Sequence, residues 1–302
     1  VNLLKIIFVL LFVYQLWILV ALVLGIVFYL NNKKLNFIKQ LDFVNLRIIP
    51  SKAETPNIAN AEKMFEAIHG LLKNNSEKFF GQIQEHITFE IVAVPTLQLY
   101  VRVPRHLQDF IETQIYAQYP NFVIEPESSD YLVDASQGKQ VFSTEAYTPN
   151  RLSFPLKTYQ AADEKSDPMT SILSVLSKTN PNERIILQYL VRPVKDYKWQ
   201  HKTRVLAERV KHGRGINLIT SSATSLLTSP MEWFRDLIKA AFVGPVTVEL
   251  RHREGSTRYK ELSEQMLKKV KKSGFLVKIR ISVIDSQPKV ATQKILSLQA
   301  CF

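Results

Sequence analysis

The sequence is poor in the residues that would brace or cradle. It has one cysteine, Cys301, which excludes an internal disulfide framework. Nine glycines and fourteen prolines in 302 residues exclude a collagen-like or low-complexity chain. Only Gly213 and Gly215 lie close together, in His212-Gly213-Arg214-Gly215, which reads as a helix cap plus a turn rather than an anion-binding nest. The pattern G-x-x-x-x-G-K-S/T is absent, so the chain has no phosphate loop with which to hydrolyse ATP. The six histidines, His69, His86, His106, His201, His212 and His252, show neither H-E-x-x-H nor H-x-x-E-H spacing, and a single cysteine cannot build a thiolate zinc site. No serine sits in G-x-S-x-G. We therefore expect no enzyme activity, no cofactor and no metal.

Long apolar runs are also rare. The chain has one, from Ile6 to Leu30, in which Gln15 is the only strongly polar side chain. As a helix, 25 residues extend roughly 37 Å, enough for a hydrocarbon core of about 30 Å. A cleaved signal peptide needs a shorter core and a small-residue cleavage site, whereas Asn31-Asn32-Lys33-Lys34 follows here. Lys33, Lys34, Lys39 and Arg47 follow the span and only Lys5 precedes it, so the body is expected on the cytoplasmic side with the N-terminus outside.

Acidic residues are scarce in the last third. The net charge of +12 is uneven: residues 1–50 carry five Lys and Arg against one Asp, residues 51–190 carry 12 against 17 acidic, and residues 191–302 carry 22 against 9. Such asymmetry points to an anionic neighbour for one region.

Periodicity predicts a helix over 61–73, strands over 86–94 and 97–103, a helix opened by Pro104, and a strand over 121–125. Residues 127–150 are polar apart from a strand over 140–147. Further strands are expected at 152–159, 184–194, 246–250 and 275–283. Helices are expected at 168–178 (capped by Asp167), 196–212 (closed by Gly213), 230–242, 256–272 and from 289 to the chain end, with an irregular loop over 213–230. The fold class is α+β: one N-terminal transmembrane helix (1–30), a basic juxtamembrane linker (31–58), and two ferredoxin-like α/β sandwich subdomains, 59–135 and 136–302.

Two basic clusters are the candidate contacts for nucleic acid or another anionic partner. The first is Arg192, Lys195, Lys198, Lys202, Arg204, Arg209, Lys211 and Arg214, with Tyr197 and Trp199 as stacking aromatics. The second holds Arg251, Arg253, Arg258, Lys260, Lys268, Lys269, Lys271 and Lys272. The four lysines at 268–272 circle a helix rather than line one face.

Several segments together resemble a known family. They are Met64-Phe65-Glu66-Ala67-Ile68-His69-Gly70, Thr88-Phe89-Glu90-Ile91, Leu99-Tyr100-Val101-Arg102-Val103-Pro104, Ile115-Tyr116-Ala117-Gln118-Tyr119-Pro120, Leu187 to Pro193, and Gly274-Phe275 with Lys278-Ile279-Arg280. With the N-terminal helix, they resemble the membrane-anchored N-terminal region of type IV secretion-like conjugative ATPases, relatives of the coupling proteins. The resemblance implies a bacterial inner-membrane location and a homo-oligomer or a complex with a hexameric motor, with DNA a further candidate partner. It also implies a RecA-like motor, as a separate chain or as a continuation of this one. A membrane-tethered nucleic-acid binder acting alone and a membrane-tethered hydrolase with a dispersed site are the alternatives.

Overall fold

A computed structural model of the chain describes residues 2–51, 57–79, 81–94, 96–127, 139–146, 153–156, 168–181, 183–212 and 257–302. Helix α1 runs Asn2–Gln40. From Tyr14 to Tyr29 its side chains are exposed and almost all apolar, with Trp17 67% and Phe28 68% exposed. It is long and apolar enough to cross a bilayer.

The stretch expected as a linker is mostly ordered structure. α1 continues to Gln40 and β1, Phe43–Ile49, starts three residues later. Helix α2 is Ile58–His69, with Asn57 capping it by accepting from the Ala59 amide. A short helix not foreseen, α3, covers Asn75–Phe79. Strands β2 (Ile87–Val94) and β3 (Thr96–Pro104) form the expected antiparallel pair. Pro104 ends β3 instead of opening a helix; a 3-10 turn, Arg105–Leu107, leads into α4, Gln108–Gln118. Then come β4 (Val123–Glu127), two residues later than expected, and β5 (Gln140–Ala146). Residues 153–156, inside the expected strand 152–159, are turn and irregular chain. Helix α5 is Pro168–Leu176, β6 Arg184–Pro193, α6 Asp196–Lys211, α7 Thr257–Val270, β7 Phe275–Asp285 and α8 Pro288–Gln299. α8 is a finished helix, closed where the Ala300 amide bonds back to the Leu296 and Leu298 carbonyls. The expected Asp167 and Gly213 caps, the loop 213–230, the helix 230–242 and the strand 246–250 lie outside the described residues.

Strands from both sides of residue 135 join one seven-stranded antiparallel sheet, in the order β4-β1-β3-β2-β6-β7-β5. The middle seam of this one sheet is the β2–β6 pair. The connectivity repeats about that seam. β1-α2-β2-β3-α4-β4 lays down β4-β1-β3-β2, and β5-α5-β6 followed by β7-α8 lays down β6-β7-β5 in the mirrored sense.

Alternation gives the sheet two unlike faces. On one, Val44, Leu46, Ile48, Ile87, Val101 and Val103 pack under Met64 and Ile68 of α2 and Ile111 and Ile115 of α4. Each such side chain, fully buried, contributes about 1.5–3 kcal/mol. The other face is rich in polar side chains. The register sets Glu125, Arg47, Tyr100, Glu90, Gln188 and Arg280 side by side from β4 to β7.

The chain divides into two compact units. The first comprises residues 1–145, 174–194 and 275–300 and contains the sheet; the second comprises 146–173, 195–274 and 301–302. In the second, α6 and α7 pack through Leu206, Ala207, Val210 and Met266, with Leu262 against them.

Candidate anionic-partner surfaces

The first expected basic cluster is split between the units. Arg192 lies on β6 in the first, and Lys195 onward belongs to the second. On α6, at 100° per residue, Lys202 and Arg209 share one flank of the buried seam, while Arg204 and Lys211 share the other. All four are exposed. Lys211 and His212 both approach Glu208, at 3.8 and 3.1 Å. Lys195 is the N-cap residue of α6 and is half-buried. On α7, Lys268 is exposed in the last turn and Arg258 in the first, and Lys272 is exposed in the turn that follows the helix. Arg214, Arg251, Arg253 and the side chain of Lys198 lie outside the described residues.

Two residues of these clusters have structural roles. Trp199 lies over Gly274: a Cβ built there would stand 2.6 Å from Trp199 Cε2. One edge of its indole is therefore packed against the Gly274 backbone. Lys269 turns inward and donates from Nζ to the Phe154 carbonyl at 2.9 Å, and burial pushes its pKa down.

In the first unit the polar face of the sheet gathers a second group of cations. Arg102 on β3 is paired with Thr88 on β2, two residues beyond His86. Across β2, Ile87 is paired with Val191 on β6, which sets Arg192 level with His86. The Phe43 ring lies 5.4 Å from the His86 ring, and the Arg102 guanidinium sits 5.6 Å over Phe43. Burial lowers the pKa of His86 first, then the fields of Arg192, Arg102 and Arg280; Glu85 opposes them. Among the described residues, no carboxylate pairs with Arg102 or Arg192. Lys278 and Arg280 do have one: Glu145 of β5 bridges them at 2.7 and 3.2 Å, and those hydrogen bonds hold its carboxyl below the usual range.

A cleft of about 310 Å³ opens elsewhere in the first unit, lined by Leu71, Lys73, Gln84, Glu85, His106 and neighbours. Buried Glu85 accepts from Lys73 at 3.1 Å and faces His106 at 3.3 Å. The trio ties the loop after α2 to the turn after β3. The cleft's described lining holds no serine, threonine or cysteine. Among the described residues no group of three or more His, Cys, Asp or Glu could hold a metal ion.

Arg102 and His86 were not singled out by sequence spacing, because only the strand register brings them to Arg192. The one signal was the alternation of polar residues on β3 (Gln98, Arg102) and β6 (Gln188, Arg192).

These features define a class: an α+β protein with an exposed apolar N-terminal helix and cationic surfaces on both of its units. Residues 33–302 match the family described as a domain of unknown function, DUF8128, and the chain belongs to that family. No curated protein and no solved structure matches the chain.

Proposed function

We propose that this chain is a non-catalytic, membrane-anchored docking module of a type IV secretion or conjugation-like translocation machine, assembling with a DNA-pumping ATPase. The observation that carries the anchoring part is the join between α1 and the body. Lys73 Nζ sits 4.5 Å over the Phe37 ring, and Gly81 packs against Lys33. A helix apolar all round, fixed to a folded body over its last turns, suits a stalk that holds that body at a bilayer. The lysines just beyond the apolar stretch favour a cytoplasmic body at a bacterial inner membrane. The motor partner rests on the sequence resemblance. We read β1-α2-β2-β3-α4-β4, with its order 4-1-3-2, as one ferredoxin-like subdomain and β5 to α8 as part of a second.

The test is expression of the full chain, alkaline extraction of membranes, and affinity capture with mass spectrometry. Retention in the extracted membrane together with co-capture of a motor ATPase supports the reading. A freely extracted chain sinks the anchor, and a retained chain that captures no ATPase sinks the motor assignment. A second reading, a tethered nucleic-acid binder acting alone, is favoured by the exposed stripes of α6 and α7. Salt-dependent oligonucleotide binding lost in Lys202→Gln/Arg209→Gln would select it.

A further inference from the structure

The end of the sheet that bears His86 is the end nearest α1. Phe43 follows Gln40 by three residues, and its ring lies tilted against His86. Gly81, five residues before His86, packs against Lys33, whose Cβ would be 2.8 Å from a Cβ at that glycine. Lys33 is only three residues past Leu30, where the apolar run closes. Residues 31–40 rise about 15 Å along the helix axis. The headgroup region on one side of a bilayer takes up roughly 5–8 Å of that height. The Phe43, His86, Arg102 and Arg192 group therefore lies within about one Debye length, roughly 8–10 Å, of the headgroup layer.

Its chemistry is anion-seeking. Arg102 and Arg192 flank His86 from the neighbouring strands, both half-buried and neither facing a carboxylate among the described residues. An arginine offers five donors in a planar fork suited to phosphate oxygens. His86 adds an imidazole N–H. Phe43 covers the group on the β1 side and holds Arg102 across its face. Among the described residues neither guanidinium has a carboxylate counter-ion, and a phosphate supplies one.

We propose that Arg102, Arg192 and His86 form a binding site for the phosphate of an anionic lipid headgroup in the leaflet from which α1 emerges. The site rests on α1 being the membrane anchor. It adds to that reading a lipid preference, with the body seated on the anionic surface instead of swinging free of it. Nucleic acid offers the same phosphodiester chemistry. The position beside α1 favours the lipid, because the bilayer brings its phosphates to this end of the sheet at high local density.

The test uses the full chain in vesicles of phosphatidylcholine alone, or of equimolar phosphatidylcholine and phosphatidylglycerol. Arginines are modified with phenylglyoxal and read by peptide mass spectrometry. We expect Arg102 and Arg192 to be protected in the anionic vesicles, exposed in the neutral ones, and exposed again at high salt. In detergent, retention of phosphatidylglycerol by Arg102→Gln/Arg192→Gln should fall about tenfold relative to the unaltered chain. The same change at Lys202 and Arg209 should leave it unaltered. Equal modification of the two arginines in both vesicles overturns the proposal, and that measurement needs no variant to fold. Protection by a single-stranded oligothymidine but not by phosphatidylglycerol overturns it in favour of nucleic acid. If the chain itself is released by alkaline extraction, the anchor reading fails and takes this site with it. If the chain stays in the membrane with its arginines unprotected, only the lipid site fails.

Discussion

Gln188 on β6 donates its side-chain amide to Glu90 Oε1 on β2 at 3.0 Å, joining residues 98 positions apart in the chain. Glu90 is only 2% exposed and Gln188 8%. A carboxyl so deep in a sheet needs donors close by. The pair therefore fixes the register of the seam that unites the two halves of the sheet, since a one-residue slip of β6 would turn Gln188 to the face opposite Glu90.

Gln188→Leu should cost about 1–3 kcal/mol, because it removes the amide donor while Glu90 stays buried. Thermal unfolding of the full chain in detergent measures this. Glu90→Gln/Gln188→Leu should recover part of the loss, and a double-mutant cycle gives the coupling. Equal stability of Gln188→Leu and the unaltered chain would remove the seam argument.

Gly81 has φ +92°, and a Cβ there would press on Lys33. Gly81→Val should cost about 1–2 kcal/mol in backbone conformation alone and should also pry the body from α1. Limited proteolysis between residues 33 and 43 should then speed up several-fold, while the unfolding of the sheet moves less. Unchanged cleavage would mean that the stalk is not held at this point.

Gly274→Ala puts a methyl group into the Trp199 indole. The displaced ring should cost about 1–3 kcal/mol and shift the tryptophan emission to the red. Trp199→Leu in the same background should relieve most of the clash. This separates the packing role of Trp199 from base stacking, since a stacking residue would tolerate the added methyl.

His86 gives a pH signature. Its pKa is lowered in the folded chain from an ordinary 6.5, by burial first and then by Arg192, Arg102 and Arg280. Just below that value the unfolded chain binds a proton that the folded chain refuses, so stability falls as pH drops through this window and is recovered above it. His86→Gln should flatten that slope in thermal unfolding measured from neutral to mildly acidic pH. A slope unchanged in the variant would place its origin elsewhere.

Much of the element inventory was legible in the sequence. Alternation marked β2, β3 and β7, and 3.6-residue spacing marked α2 and α4, because each pattern reports one buried face; β6, buried on both faces, read as a strand from its run of apolar residues. Chain segments whose order depends on distant partners were not legible. β1 (Phe43–Ile49) read as linker because its two neighbours, β3 and β4, begin more than fifty residues further on. Pro104 looked like a helix opener because its role in pairing with Phe43 is invisible locally. The basic cluster from Arg192 to Arg214 was found by density of charge, but the residues beside Arg192 in space, Arg102 on β3 and His86 just before β2, come from elsewhere in the chain. Linear spacing cannot show that grouping, and only the register does.

The mirrored strand order also governs how the chain must be made. The strand that pairs with β2 on its open side is β6, and about a hundred residues separate them. At roughly 5–20 residues per second, that partner follows on the order of 5–20 s later. During this interval the edge of β2, with Ile87, Phe89 and Ile91, waits unpaired. Slowing translation between residues 95 and 185 should therefore raise aggregation during synthesis more than an equal delay after residue 285, when every strand of the sheet has been made.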